Sequence, residues 1–225
     1  MAIHTLTHDD EDNLEFMVSL IRQMHARQES PATSGNYSFR PEKSEGDFFM
    51  LSESAVDKSI FGRDNFIGVS EKGEVLPLWQ KDGRNAAAES TLHIAIYNRT
   101  NAHCVLHSHG LDSVLFAEAF PGQDVAYVKG LELLKGFSGV DSHEETFHIP
   151  IFENNQDMGK LCKKLNEYLD ENYQCFGFVL RGHGITCWGK SVWEAKRHLE
   201  VYRYLFEYFI QEKPHDKPYC LQVSK

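Results

Sequence analysis

Two apolar runs, Cys175–Leu180 and Ile185–Trp188, are separated only by Arg181-Gly182-His183-Gly184. Short apolar runs bounded by glycine read as buried strands. Strands joined by turns this short argue for an antiparallel or mixed sheet. The rest of the chain adds helices to this picture. Leu14, Met17, Val18, Ile21 and Met24 keep helical spacing across 9–28, with Asp9 or Asp10 as the expected cap. Turn chemistry and then a strand follow in 31–40. Further strands are predicted at 48–51, 66–69, 104–109 and 146–151, with a hairpin turn at Glu71–Glu74. Helices are predicted at 89–98, 112–119, 157–172 and 191–211. This alternation predicts an α/β fold, and the short connections predict an antiparallel or mixed sheet.

Composition narrows the class. A chain of 225 residues with 41% hydrophobic and 25% charged residues suits one globular domain and excludes disordered, collagenous and disulfide-scaffold chains. Its net charge of −10 argues against nucleic acid or an anionic membrane as a partner. An anionic substrate would need local positive character. Five cysteines without C-x-x-C spacing read as reduced thiols. The opening MAIHTLTHDDEDN has no positive-then-apolar pattern, so no signal peptide is expected, and no apolar run is long enough to span a bilayer. A cytoplasmic protein is the expectation.

Three histidines carry the chemistry. His107 and His109 alternate in a predicted strand, so both project from one face and can meet one ion. His183 follows a buried strand and has glycine on each side, which lets the backbone turn sharply. It is either a third metal ligand or a turn residue. Three histidines with an open position are a common catalytic zinc arrangement. Glu89, opening a helix, and Glu132, in Val128-Lys-Gly-Leu-Glu132, are each a surface carboxylate or an acid/base beside a metal-bound carbonyl. Thr33-Ser34-Gly35-Asn36 and Ser52-Glu53-Ser54-Ala55 are either ordinary turns or phosphate cradles.

The segments PATSGNYSFR, FMLSESAVDK, AAAESTLHIAIY, HCVLHSHG and GFVLRGHGITCWGKSVWEAKRHLEVYRYLFE occur in the order of the class II aldolase/adducin family, which the chain resembles from about 10 to 211. YVKGLELLKGF (127–137) and IPIFENNQDM (149–158) resemble the dehydratase branch, which acts on 5-methylthioribulose 1-phosphate in methionine salvage. The resemblance implies one class II aldolase-like domain over 1–225 with a peripheral C-terminal tail. It implies a three-layer α/β/α fold around a mostly antiparallel sheet, and a homotetramer. It further implies Zn²⁺ on His107, His109 and His183, and a phosphate site from Ser34, Gly35, Asn36, Ser54 and Ala55. Glu132 is the implied acid/base, and Glu89 matches the catalytic glutamate of the aldolases. Ala55 stands where relatives often carry glycine, and Ala87 and Ala88 where they carry serine. The implied activity is zinc-dependent dehydration of a phosphorylated keto-sugar. The alternatives are a sugar-phosphate aldolase or 4-epimerase, or a non-enzymatic adducin-like module.

Overall fold

The computed structural model describes residues 6–41, 48–80, 84, 86–171 and 174–212. The elements in chain order are α1 (His8–Ala26), β1 (Asn36–Phe39), β2 (Phe48–Ser52), β3 (Phe66–Ser70), α2 (Ser90–Arg99), β4 (Cys104–Ser108), α3 (Leu111–Glu118), β5 (Val125–Val128), β6 (Phe147–Phe152), α4 (Met158–Glu171), β7 (Gly177–Leu180), β8 (Gly184–Gly189) and α5 (Val192–Glu212). The eight strands form one sheet in the order β3-β2-β1-β4-β8-β7-β6-β5. Among the described residues only β6 and β7 pair in parallel, and α4 supplies the crossover that such a pair requires.

Strand alternation sends side chains to two cores, one on each face. Cys104 and Leu106 join α1, α3 and α5 through Leu14, Met17, Phe116, Leu199 and Phe206. Val105 faces the other way and packs with Leu92, Ile96 and Tyr97 of α2 and Leu161 and Leu165 of α4. The result is helix–sheet–helix, as the resemblance implied. The short link at 181–183 does join antiparallel neighbours, with Leu180 opposite Gly184.

Three details differ from the sequence reading. Thr7 caps α1, its hydroxyl accepting from the Asp10 amide while the Asp10 carboxylate accepts from the Thr7 amide. Asp10 is therefore the capping-box partner and not the cap. Strand β5 has no counterpart among the predicted strands; it is a four-residue edge strand paired only with β6. Strand β4 stops at Ser108, so His109 lies just past its end. Of the aromatic residues on α5, Tyr202, Phe206 and Phe209 are buried, whereas Trp193 and Tyr204 are exposed. Cys104, Cys162, Cys175 and Cys187 are free thiols; Cys220 and the C-terminal tail lie outside the described residues. No helix among the described residues is long and apolar enough to cross a membrane.

Candidate metal centre

The neighbouring strands β1, β4 and β8 bring three distant segments to one end of the sheet. In their register Asn36 lies opposite His107, and His107 opposite Thr186. His183 enters from the turn before β8. Its flanking glycines act differently: Gly182 takes φ 63° in the turn, and Gly184 lies against the main chain of Ser108 and His109. Glu89 stands at the N-cap position of α2, and its side chain makes no cap hydrogen bond.

The three Nε2 atoms converge. His107 and His109 are 2.8 Å apart, His183 and His109 3.1 Å, and His107 and His183 3.2 Å. Glu89 Oε1 lies 3.1 Å from His183 Nε2 and 3.9 Å from His107 Nε2. All four ligand atoms fall within 4.8 Å of one another. Ligands about 2.0–2.1 Å from a tetrahedral ion stand roughly 3.4 Å apart, so the donor set fits a divalent cation.

The remaining ring atoms support that fit. His107 Nδ1 lies 3.0 Å from both the Ile185 carbonyl and Thr186 Oγ1, and His183 Nδ1 lies 3.3 Å from Asn154 Oδ1. Donation from Nδ1 leaves the Nε2 lone pair for a metal. Burial holds His107 neutral, down to about 3, and holds His109 down to about 4, with the nearby His183 adding to the effect. Burial would raise Glu89, but the hydrogen bond with His183 and the charges of the three histidines outweigh it and hold the carboxyl at about 2. Glu89 is therefore an anion, and the Asn36 amide donates to its Oε2.

The small polar loops also meet. Lys58, fully buried, donates to the Thr33 carbonyl at 3.1 Å and the Val56 carbonyl at 3.0 Å, joining the Ser34-Gly35 turn to the Ser54-Ala55 turn. Lys58 has no carboxylate ion pair among the described residues, and burial lowers its pKa. Ser54 and Ala55 are exposed, and Ser34 donates to the Pro31 carbonyl. Ala55 adopts φ 59°, a conformation that glycine takes without strain. Asn36, expected in the phosphate loop, is buried and turned toward Glu89.

Glu132 lies elsewhere. It opens a 3₁₀ turn (Glu132–Gly136), is exposed, and pairs with Lys135 at 2.5 Å and His143 at 3.3 Å. The Lys135 hydrogen bond lowers its pKa. None of these partners belongs to the histidine cluster. The sequence reading missed Asn154, Thr186 and Lys58, whose roles depend on neighbours far along the chain. It also missed His93, one turn after Glu89 and bonded through Nδ1 to Ser38 Oγ at 2.7 Å. A polar residue four positions from Glu89 was the available signal.

A sequence-family model described as the Class II Aldolase and Adducin N-terminal domain matches residues 15–210. Methylthioribulose-1-phosphate dehydratase from Picosynechococcus sp. is 37% identical over 200 residues, covering 88% of this chain and 92% of that protein. The enzyme of the same name from Citrobacter koseri is 38% identical over 199 residues, covering 87% and 94%. Among solved structures, L-fuculose-1-phosphate aldolase from Thermus thermophilus superposes with a TM-score of 0.68 at 19% identity, covering 89% of this chain and 95% of that one. A sugar-phosphate aldolase from Thermotoga maritima gives 0.66 at 13% identity, covering 93% and 98%.

Proposed function

The chain belongs to the class II aldolase and adducin family, and from that premise we propose that it dehydrates 5-methylthioribulose 1-phosphate to 2,3-diketo-5-methylthiopentyl 1-phosphate, a hydro-lyase step of methionine salvage. The observation that carries this reading is the convergence of three Nε2 atoms beside an anionic Glu89, in a chain alike to dehydratases over nearly its whole length.

His107, His109 and His183 hold the metal, which we take to be Zn²⁺. When bound, it supplies Lewis-acid polarisation of the substrate ketone. Glu132 takes the proton from the carbon beside that ketone and returns a proton to the departing hydroxyl, so that water leaves and the enol relaxes to the diketone. Its carboxyl is exposed and the Lys135 hydrogen bond lowers its pKa, so it is ionised and able to accept a proton. Glu89, held by Asn36 and His183, keeps a fixed negative charge beside the histidines. Ser34, Gly35, Ser54 and Ala55 receive the phosphate, with Asn36 joining this loop to Glu89 and Lys58 supplying positive charge beneath it. The active assembly is a cytoplasmic homotetramer; exposed Trp193, Tyr204 and Leu111 offer apolar surface for contacts between copies.

One observation favours a second reading, aldol cleavage: the carboxylate at the cluster is Glu89, the position matching the aldolase glutamate, and not Glu132. Turnover of methylthioribulose 1-phosphate against fuculose 1-phosphate, with metal analysis of the same sample, decides between them. The expected result is dehydration of the first with one zinc per chain. Cleavage of the second alone would replace the proposal with an aldolase.

A further inference from the structure

His109 is held differently from the other two histidines. The His107 and His183 rings are fixed through Nδ1, whereas His109 Nδ1 has no partner among the described residues. It also stands beyond the end of β4, outside the ladder. Its anchor is the main chain: the His109 N–H donates to the Glu29 carbonyl at 2.9 Å, and Ser108 Oγ donates to the same oxygen at 2.7 Å. Glu29 is therefore the floor on which His109 rests.

The Glu29 side chain is buried and reaches the Arg203 guanidinium on α5. Through Nε the same guanidinium donates to Asp112 Oδ2 at 2.9 Å. The other Asp112 oxygen accepts from the Ser113 amide at 3.0 Å, fixing the first turn of α3 just after His109. One planar fork thus grips both segments that flank the histidine. A guanidinium can do this because its donors diverge in fixed directions, whereas an ammonium is a single point.

We propose that Arg203 is a positioning residue for the metal centre, holding His109 in the cluster through Glu29 on one side and Asp112 on the other. The proposal rests on the metal reading above. Removing Arg203 leaves the buried Glu29 carboxylate without its partner. The Glu29 backbone then withdraws and His109 loses its anchor, while His107 and His183 keep theirs. Loss of a group that orients a ligand lowers metal affinity by about 10–100-fold.

The test is a zinc titration of the metal-free full chain against a chromophoric chelator, with thermal unfolding of the same samples. Arg203→Met is expected to weaken zinc binding by about 10–100-fold, and Arg203→Lys to recover stability more fully than zinc affinity. Asp112→Asn, which keeps the side-chain size, is expected to weaken binding to a smaller degree and serves if Arg203→Met does not fold. Lys196→Met, on the same helix, where Lys196 pairs with Glu200 and lies 5.2 Å over the Trp193 ring, is the control and should bind zinc as the unaltered chain does. Unchanged zinc affinity in Arg203→Met, or in both Arg203→Lys and Asp112→Asn if Arg203→Met does not fold, would overturn the proposal and leave the metal reading intact, whatever the unfolding temperature. An unaltered chain that binds no zinc would instead overturn the metal reading, and the proposal with it.

Discussion

The main chain of Gly184 passes so close to Ser108 that a Cβ at position 184 would stand 2.1 Å from the Ser108 carbonyl oxygen. This contact is what lets β8 start beside the end of β4, where His183 meets His107 and His109. Gly184→Ala must push the two strands apart. Overpacking typically costs about 1–3 kcal/mol, and a backbone neighbour cannot yield as a side chain does. The expected outcome is a loss at or above the top of that range in denaturant unfolding, together with loss of bound metal. A variant of native stability that still binds metal would contradict the close approach.

Metal dependence separates the histidines by place. Chelation should abolish turnover and added Zn²⁺ restore it. His183→Ala removes one of three converging ligands and should lose both metal and activity. His198→Ala should keep its metal, because His198 packs among other residues, with Nδ1 2.7 Å from the Trp188 carbonyl and its ring against Phe176. It should lose stability instead, since His198 is buried. Metal content by emission spectrometry, read beside the unfolding midpoint, distinguishes the two outcomes.

The two glutamates predict opposite kinetics for the two candidate reactions. For the dehydratase, Glu132→Gln should lower kcat by about 10²–10⁴-fold, as loss of a positioned acid/base does, while folding and zinc content survive. Glu132 is exposed, so the substitution disturbs no packing. For an aldolase, Glu89→Gln would be the crippling change. A Glu132→Gln enzyme that dehydrates at near-native kcat would remove the role assigned to that residue.

Acid should weaken the metal-free fold through its buried histidines. His93 is fully buried, and burial lowers its pKa from 6.5 to about 4. Between those values the unfolded chain takes up the proton and the folded chain does not. Stability that is fully present above pH 6.5 is therefore lost as pH falls toward 4, by about 3 kcal/mol at most for His93. Glu29 works in the other direction: burial raises it to about 7 against the pull of Arg203, so its protonation below pH 7 favours the fold. The comparison that isolates His93 is denaturant unfolding of His93→Gln and the unaltered chain at pH 7 and pH 4.5. The variant should lose less stability on acidification, and equal losses would refute the assignment.

The readable parts of the sequence were local. His107 and His109 lie two apart across the end of β4, and their Nε2 atoms approach to 2.8 Å, the shared face that a period of two leads one to expect. The glycines around His183 announced a turn, and the turn is there. Apolar spacing reads helix extents closely, α4 at 157–172 against Met158–Glu171 among them. The α1 cap escapes such a reading because Thr7 and Asp10 exchange hydrogen bonds across three residues, and composition favours either aspartate. Edge strand β5 escapes it because four residues carry too little periodicity to stand out.

Local order, then, was determined by the sequence itself, because strand and helix periods act between residues a few positions apart. Which carboxylate joins the histidines was decided only by tertiary structure. Glu89 and Glu132 each follow a plausible motif, yet Glu89 stands 3.1 Å from His183 while Glu132 pairs with Lys135 and His143. That choice follows from strand order. Burying apolar residues on both faces sets β1, β4 and β8 side by side, and the α2 face of β1 then delivers Glu89 to His183. Contacts between residues so far apart have no period in the sequence, because their partners are selected by which surfaces the whole sheet must cover.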